Sequence, residues 1–349
     1  MKIITVTLNP SLDKTLYFDD HFVAGALNRA KQTVLHAGGK GINVARMYRL
    51  LGIRATAFGF MGGDGGNILA RKMLEENIQC HFVKTEAPTR YCYKMIDQFG
   101  SCTEANEAGG PIAEEELRRM ISSIDRCILQ VEEEQKEEQG HEKSEKKQMT
   151  YLFLCGSIPP GIKKGIYAAM VKKYSREDIR VIVDAQGDGI KLALDERPWL
   201  IKPNREELEE LVGRPVHTVQ EAAQMSRVIQ NAYHTNVLCT LGELGAVYTD
   251  HICSVHVTAP KVEMKGFTGA GDTFLSCFVY AFDKSQGDVS TALRFAAAAA
   301  AAKIEMVGTA LPGKDRITKY LAMPQIKQIA GSVNLSGMNV TSDGQPLKD

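Results

Sequence analysis

No pair of cysteines in the chain has Cys-x-x-Cys spacing, and no His/Cys cluster has zinc-ligand spacing. That excludes the common zinc modules, and the eight scattered cysteines suit reduced thiols better than a disulfide framework. Charge of one sign is also missing: 42 Lys and Arg balance 42 Asp and Glu. Neither a nucleic-acid surface nor an acidic tail is expected from such a balance, although a local basic pocket stays open. No apolar stretch reaches membrane-spanning length without interruption, so no membrane partner is expected. The opening run Lys2 to Leu8 is too short and too β-like for a signal peptide. A cytoplasmic protein is the expectation. With 44% hydrophobic residues, a large core can form, in one α/β domain with insertions or in about two domains.

Glycine-rich strand ends are what the chain has in number. Val262 and Met264 suggest the end of a strand, followed by Phe267-Thr268-Gly269-Ala270-Gly271-Asp272-Thr273-Phe274 and an apolar run through Phe278 and Phe282. A glycine turn opening a helix leaves unpaired N–H groups converging on one point, with the helix dipole behind them, and such a place binds anions. Asp272 there is either an ordinary first-turn acid or a base that takes a proton from a hydroxyl attacking phosphate. The turn is not a dinucleotide fingerprint, because Phe274 stands where the third glycine belongs. A second loop, Ala37-Gly38-Gly39-Lys40-Gly41-Ile42-Asn43, leads into a helix through Leu51. Gly follows its lysine, so it is not a Walker A loop.

Other elements follow from pattern. The first strand ends at Asn9-Pro10, and Asp13 just beyond could cap the next turn or face a ligand. Thr15 to Phe18 and Thr33 to Leu35 read as short strands, and 89–96 with 101–106 as a hairpin around Phe99-Gly100. Arg90 and Lys94 would share one face of that hairpin, as a solvated strand edge or as ligand contacts. The run 131–148 is charged and aperiodic, a solvated helix extension or loop to which no chemistry is assigned. Further strands end at Asp184, Lys202 and Thr240. Asn204 with Glu207 forms a capping-box pattern, or alternatively supplies two oxygens near a hydrated Mg2+. Ala296 to Ala302 is an alanine helix able to pack closely on a flat partner, a helix or an adenine ring. The segment from Gly331 to Asp349 reads as a disordered end.

Several motifs then coincide: Thr7-Leu8-Asn9-Pro10-Ser11-Leu12-Asp13, Asn28-Arg29, Gly38-Gly39-Lys40-Gly41-Ile42-Asn43-Val44-Ala45-Arg46, Thr103-Glu104-Ala105-Asn106, and Gly156-Ser157-Ile158-Pro159-Pro160-Gly161. In this order, with the 269–272 turn, they resemble the PfkB (ribokinase-like) carbohydrate kinases, from Lys2 to about Pro312. The 1-phosphofructokinase and tagatose-6-phosphate kinase branch is the most similar. The resemblance implies a ribokinase-like three-layer α/β/α sandwich with a mostly parallel sheet and a small β-sheet lid. It implies a kinase domain over 1–323, with lid segments about 14–36 and 88–107, a charged insertion about 131–149, and a final strand and tail over 324–349.

It also implies the chemistry: ATP-dependent phosphorylation of a ketohexose phosphate, fructose 1-phosphate or tagatose 6-phosphate, to the bisphosphate. Asp272 would be the base, and Gly269, Ala270 and Gly271 the anion hole. Asp13, Gly38, Gly39 and Asn43 would hold sugar hydroxyls, and Arg29, Lys40 and Arg90 the sugar's phosphate. Lys202, Asn204, Thr240, Gly242 and Gly245 match nucleotide positions, and Asn204 with Glu207 a motif linked to Mg2+. An exposed lid face, and the pairing of lids in the family, imply a homodimer. A kinase for an unphosphorylated sugar or nucleoside, and a non-catalytic sugar-phosphate sensor, are the alternatives. Cys92 where the branch has Asn, Gly266-Phe267 before the turn, Ser276-Cys277 after it, and an extra glycine in 107–111 are departures. Cys92 bears on which sugar is bound.

Overall fold

The computed structural model describes residues 1–141 (backbone only over 131–141), 148–263, 266, 268–306, 308 and 310–329. The chain divides into two compact units. The first holds Met1–Lys163, Glu263–Asp272 and Ile304–Leu311, and the second holds Lys164–Val262, Thr273–Lys303 and the chain from Pro312 on.

In the first unit the elements are β1 (Lys2–Thr7), β2 (Ser11–Tyr17), β3 (Gln32–Gly38), α1 (Lys40–Leu50), β4 (Ala55–Gly62), α2 (Gly63–Glu75), β5 (Gln79–Thr85), β6 (Arg90–Ile96), β7 (Cys102–Asn106), α3 (Glu114–His141) and β8 (Thr150–Cys155). Strands β8, β1, β4 and β5 lie side by side, all parallel. Parallel strands are covered on both faces, which is why Thr150–Cys155 is buried at every position rather than at alternate ones. A second sheet runs β3-β2-β6-β7. Its β6–β7 hairpin is the expected one, while β2 and β6 pair in parallel.

Several expectations change here. β1 ends at Thr7, before Asn9, because Pro10 has no N–H to continue a ladder. β2 begins at Ser11, so Asp13 lies within a strand and does not cap a turn. β6 lies between β2 and β7, so it is not a sheet edge, and Lys94 on it is buried. α3 carries the charged run on as helix to His141, and 142–147 lie outside the described residues.

The second unit contains α4 (Ile166–Tyr174), β9 (Ile179–Asp184), α5 (Asp188–Leu194), β10 (Leu200–Ile201), α6 (Arg205–Val212), α7 (Val219–Tyr233), β11 (Asn236–Thr240), β12 (Ala246–Thr249), β13 (Ser254–Val257), α10 (Lys314–Tyr320) and β14 (Ile326–Ile329). Between β13 and α10 run α8 (Ala270–Lys284), whose first turn belongs to the first unit, and α9 (Val289–Ile304). β9, β10 and β11 are parallel, and β12, β13 and β14 continue antiparallel. β13 stops at Val257, three residues before Pro260, so Val262 does not end a strand, and Met264 lies outside the described residues. The alanine run forms the buried stretch of α9. β14 supplies a C-terminal strand, and the run from Gly331 on lies outside the described residues.

The entry to α1 is set by glycines that let backbones touch. A Cβ on Gly41 would come 2.5 Å from Thr7 Oγ1 and 3.1 Å from the Val6 carbonyl, and one on Gly39 would come 2.7 Å from Thr7 Cγ2. α1 therefore seats directly on the end of β1. Replacing Gly41 by Ala is expected to push the helix off that strand and lower stability by about 1–3 kcal/mol, the usual cost of overpacking, read by urea denaturation.

Candidate functional site

The first unit gathers one set of the predicted residues. Asn43, buried in the first turn of α1, donates from Nδ2 to Asp272 Oδ2 at 2.7 Å. Asp272 is buried in the first turn of α8, after Gly269 at φ +78°, a left-handed conformation that suits glycine. Gly269, Ala270 and Gly271, at the opening of α8 where N–H groups lack intrahelical partners, are half-exposed. Phe267 lies outside the described residues, whereas Gly266 donates its N–H to the Ile304 carbonyl at 3.0 Å.

Asp13 is buried on β2, where its Oδ1 accepts from Ser11 Oγ at 2.8 Å. A Cβ on Gly38 would fall 2.1 Å from that Oδ1, so the carboxylate lies flat on the Gly38 backbone. Its other oxygen meets Lys94 Nζ at 3.4 Å. Paired residues of neighbouring strands share a face, and the register sets Ser11 beside Arg90, Asp13 beside Cys92 and Thr15 beside Lys94. Cys92 is thus a neighbour of Asp13. Burial pushes its thiol up, against the opposing influence of Arg90 and a Ser11 hydrogen bond, so it stays neutral. His36 pairs with Asp13 from the other side, and burial, then Arg46 and Lys72, push its imidazole down.

The three cations expected to meet a phosphate have different settings. Arg90 is committed to backbone: its Nε and Nη2 reach the Asn9 carbonyl at 3.3 and 3.1 Å, and its Nη1 the Glu107 carbonyl at 2.8 Å. Lys40 opens α1, half-exposed, where no acidic residue offsets the positive helix end. Arg29 is exposed between β2 and β3 and makes no hydrogen bond or ion pair among the described residues. Two motif residues given no role earlier do meet, since Asn9 Nδ2 reaches Ser157 Oγ at 3.1 Å and the Ala108 carbonyl at 2.9 Å. The extra glycine region fits against the same side chain, because a Cβ on Gly109 would lie 2.5 Å from Asn9 Oδ1. Lys94 is the other participant the motifs missed; its period-2 spacing from Arg90 was the available signal.

The second unit gathers the remaining set at the carboxyl ends of β10 and β11, where α/β sheets bind ligands. Lys202 is buried and its Nζ lies 3.4 Å from Asp184 Oδ1. Asn204 caps α6: its side chain accepts from the Glu207 N–H at 2.7 Å, and Glu207 Oε2 accepts from the Asn204 N–H at 2.9 Å. The capping box is therefore present. Thr240 bridges to Asn204, its N–H bonding the Pro203 carbonyl at 3.0 Å. Gly242 has φ +59°, and Gly245 has φ +93° with the Val257 carbonyl 1.9 Å from any added Cβ. Gly245 does not accept a side chain without moving the loop, whereas a Cβ at Gly242 would meet nothing within 4 Å. Among the described residues no group of three or more His, Cys, Asp or Glu side chains could hold a metal ion, and no helix is long and apolar enough to cross a membrane.

The chain is similar to known proteins over most of its length. The family model described as pfkB family carbohydrate kinase matches residues 6–316. A 1-phosphofructokinase of Borreliella burgdorferi is 30% identical over 94% of this chain and 99% of its own. One of Vibrio cholerae is 27% identical over 94% of this chain and 97% of its own. Among solved structures, phosphofructokinase-2 from Escherichia coli, crystallised with substrates and products, is 28% identical with TM-score 0.80, over 92% of this chain and 99% of that one. Ribokinase from Thermotoga maritima, 19% identical with TM-score 0.69 over 92% of this chain and 99% of that one, shares the fold. The fold is therefore ribokinase-like α/β, with a large, mostly parallel sheet and a small separate one.

The cap at α6 makes a separate prediction. Asn204→Ala is expected to lose about 1 kcal/mol of stability and Asn204→Ser to keep most of it, measured by chemical denaturation without ligands.

Proposed function

The chain belongs to the pfkB family of carbohydrate kinases and so transfers a phosphoryl group to a sugar hydroxyl; on that premise we propose that the donor is ATP and the acceptor a ketohexose phosphate, giving a bisphosphate. Fructose 1-phosphate is the favoured acceptor because the curated relatives above are 1-phosphofructokinases, and tagatose 6-phosphate is its competitor. The observation that carries the mechanism is the Asn43–Asp272 hydrogen bond. It fixes one carboxylate oxygen beside the N–H groups of Gly269, Ala270 and Gly271, in the unit that also holds Asp13 and Gly38.

The roles follow from that arrangement. Asp13 accepts hydrogen bonds from the acceptor's hydroxyls, and the bare Gly38 and Gly39 let the sugar lie on the backbone. Asp272 takes the proton of the attacking hydroxyl as its oxygen bonds to phosphorus. The N–H groups opening α8 receive the negative charge gathering on the transferred phosphoryl oxygens, where positioning and electrostatics supply most of the catalysis. Lys40, Arg29 and Arg90 answer the acceptor's own phosphate with charge-assisted bonds, Arg90 while also bracing the Asn9 and Glu107 carbonyls. In the second unit Lys202, Asn204, Thr240, Gly242 and Gly245 hold the nucleotide.

Mg2+ neutralises charge on the nucleotide phosphates when bound. The facing oxygens of Asn204 and Glu207 are already used in the capping box, so these residues fit a hydrated ion held through its water shell. The small sheet β3-β2-β6-β7 acts as a lid excluding water, and pairing of two such sheets makes the homodimer. The enzyme works in the cytoplasm.

Two measurements test the reading. Asp272→Asn is expected to cut kcat by about 10²–10⁴-fold, the usual range for a lost general base, with sugar-phosphate binding largely kept; unchanged kcat removes Asp272 from the mechanism. With ATP and Mg2+, fructose 1-phosphate is expected to give the highest kcat/KM in a panel with tagatose 6-phosphate and fructose. Preference for fructose would favour the unphosphorylated-sugar alternative, and no sugar-dependent ATP use would favour the sensor.

A further inference from the structure

Lys94 is a buried ammonium with too few partners. Its side chain is 8% exposed, and Asp13 Oδ2, at the long distance of 3.4 Å, is the one acceptor it meets among the described residues. An ammonium carries three N–H donors, and stranding them away from water is costly unless something accepts from them. Nothing about the strand requires a lysine there. β6 is an interior strand of its sheet, and the paired position on β2 is Thr15. A buried, under-satisfied cation in contact with the carboxylate assigned to the acceptor points to a ligand that completes it.

The charge of the site limits what that ligand is. Asp13 and Lys94 cancel, so the pair is a poor anchor for a phosphate dianion, which Asp13 would repel. A hydroxyl both donates and accepts, so one that donates to Asp13 Oδ2 can accept from Lys94 Nζ, or two adjacent hydroxyls can share the pair. Resting on the kinase reading above, we propose that Lys94 binds the acceptor directly. It reads, together with Asp13, hydroxyls on the sugar ring or chain away from the phosphate.

The test compares steady-state kinetics of the full-length protein with ATP and its best sugar phosphate. Lys94→Met is expected to raise the sugar-phosphate KM about 10- to 100-fold, the range for one lost charge-assisted hydrogen bond, with the KM for ATP within about two-fold. Acceptor analogues lacking one hydroxyl each give the readout that a structural role would not move. For the analogue without the hydroxyl that Lys94 contacts, the wild-type and Lys94→Met values of KM should converge. An equal penalty for every analogue, or an unchanged KM in a folded variant, overturns the proposal.

Lys94→Met strands the Asp13 charge, so the Asp13→Asn/Lys94→Met double variant is measured beside Asp13→Asn. A further rise in KM of about ten-fold over the single variant is expected, and equal values overturn the assignment. Failure of the wild type to use any sugar phosphate overturns the kinase reading and this one together. Normal wild-type turnover with indifferent variants overturns the Lys94 assignment alone.

Discussion

A single hydrogen bond joins two residues 229 positions apart, Asn43 and Asp272, and each belongs to the first turn of a helix opened by glycines. For the bond to form, α1 must seat on the end of β1, which Gly39 and Gly41 permit by carrying no Cβ against Thr7. The start of α8 must in turn be folded back to the first unit, as the assignment of Glu263–Asp272 to that unit requires. Most of the first unit can be understood as the framework for this contact. Parallel strands buried on both faces give it rigidity, and each fully buried aliphatic side chain contributes about 1.5–3 kcal/mol. The carboxylate that results is held in place by a hydrogen bond within the protein itself, the preorganisation on which the role proposed for it depends.

Much of this was legible in the sequence, because glycine at a strand end states a backbone requirement that few other residues meet. The loops at 38–41, 242–245 and 269–271 could be located from glycine alone, and the capping box at Asn204 and Glu207 from two residues three apart. What could not be read were relations that exist only once strands pair. Asp13 has the local look of a turn cap, and only the register of β2 against β3 and β6 shows it as an interior strand residue. Lys94 looks like edge solvation until β7 is seen to cover the outer side of β6. Arg90 was legible as a cation, but its use on the Asn9 and Glu107 carbonyls was not, since backbone acceptors carry no sequence signature.

The second unit uses a different economy of residues. In the first, side chains meet side chains across long stretches of sequence; in the second, the assembled positions lie on two adjacent strand ends and the turn after each. Asn204 and Glu207 complete α6 whether or not a nucleotide is present. In the nucleotide role proposed for Asn204, the stability of its helix is coupled to the integrity of the site. The buried Lys202–Asp184 pair behaves similarly, since removing either charge leaves the other without its opposite charge across 3.4 Å.

The contact between Gly38 and Asp13 reaches beyond recognition to the way the chain finds its fold. Strands β2 and β3 could in principle slide along one another by two residues and still present the same faces. In the observed alignment Ser11 opposes Gly38 and Asp13 opposes His36, and the Asp13 carboxylate fits there because position 38 has no side chain. A two-residue slip that set His36 opposite Ser11 would bring an imidazole into the space the Asp13 carboxylate fills. The glycine thus acts as a steric index mark: the pairing that accommodates the Asp13 carboxylate is the pairing in which the two strands fit.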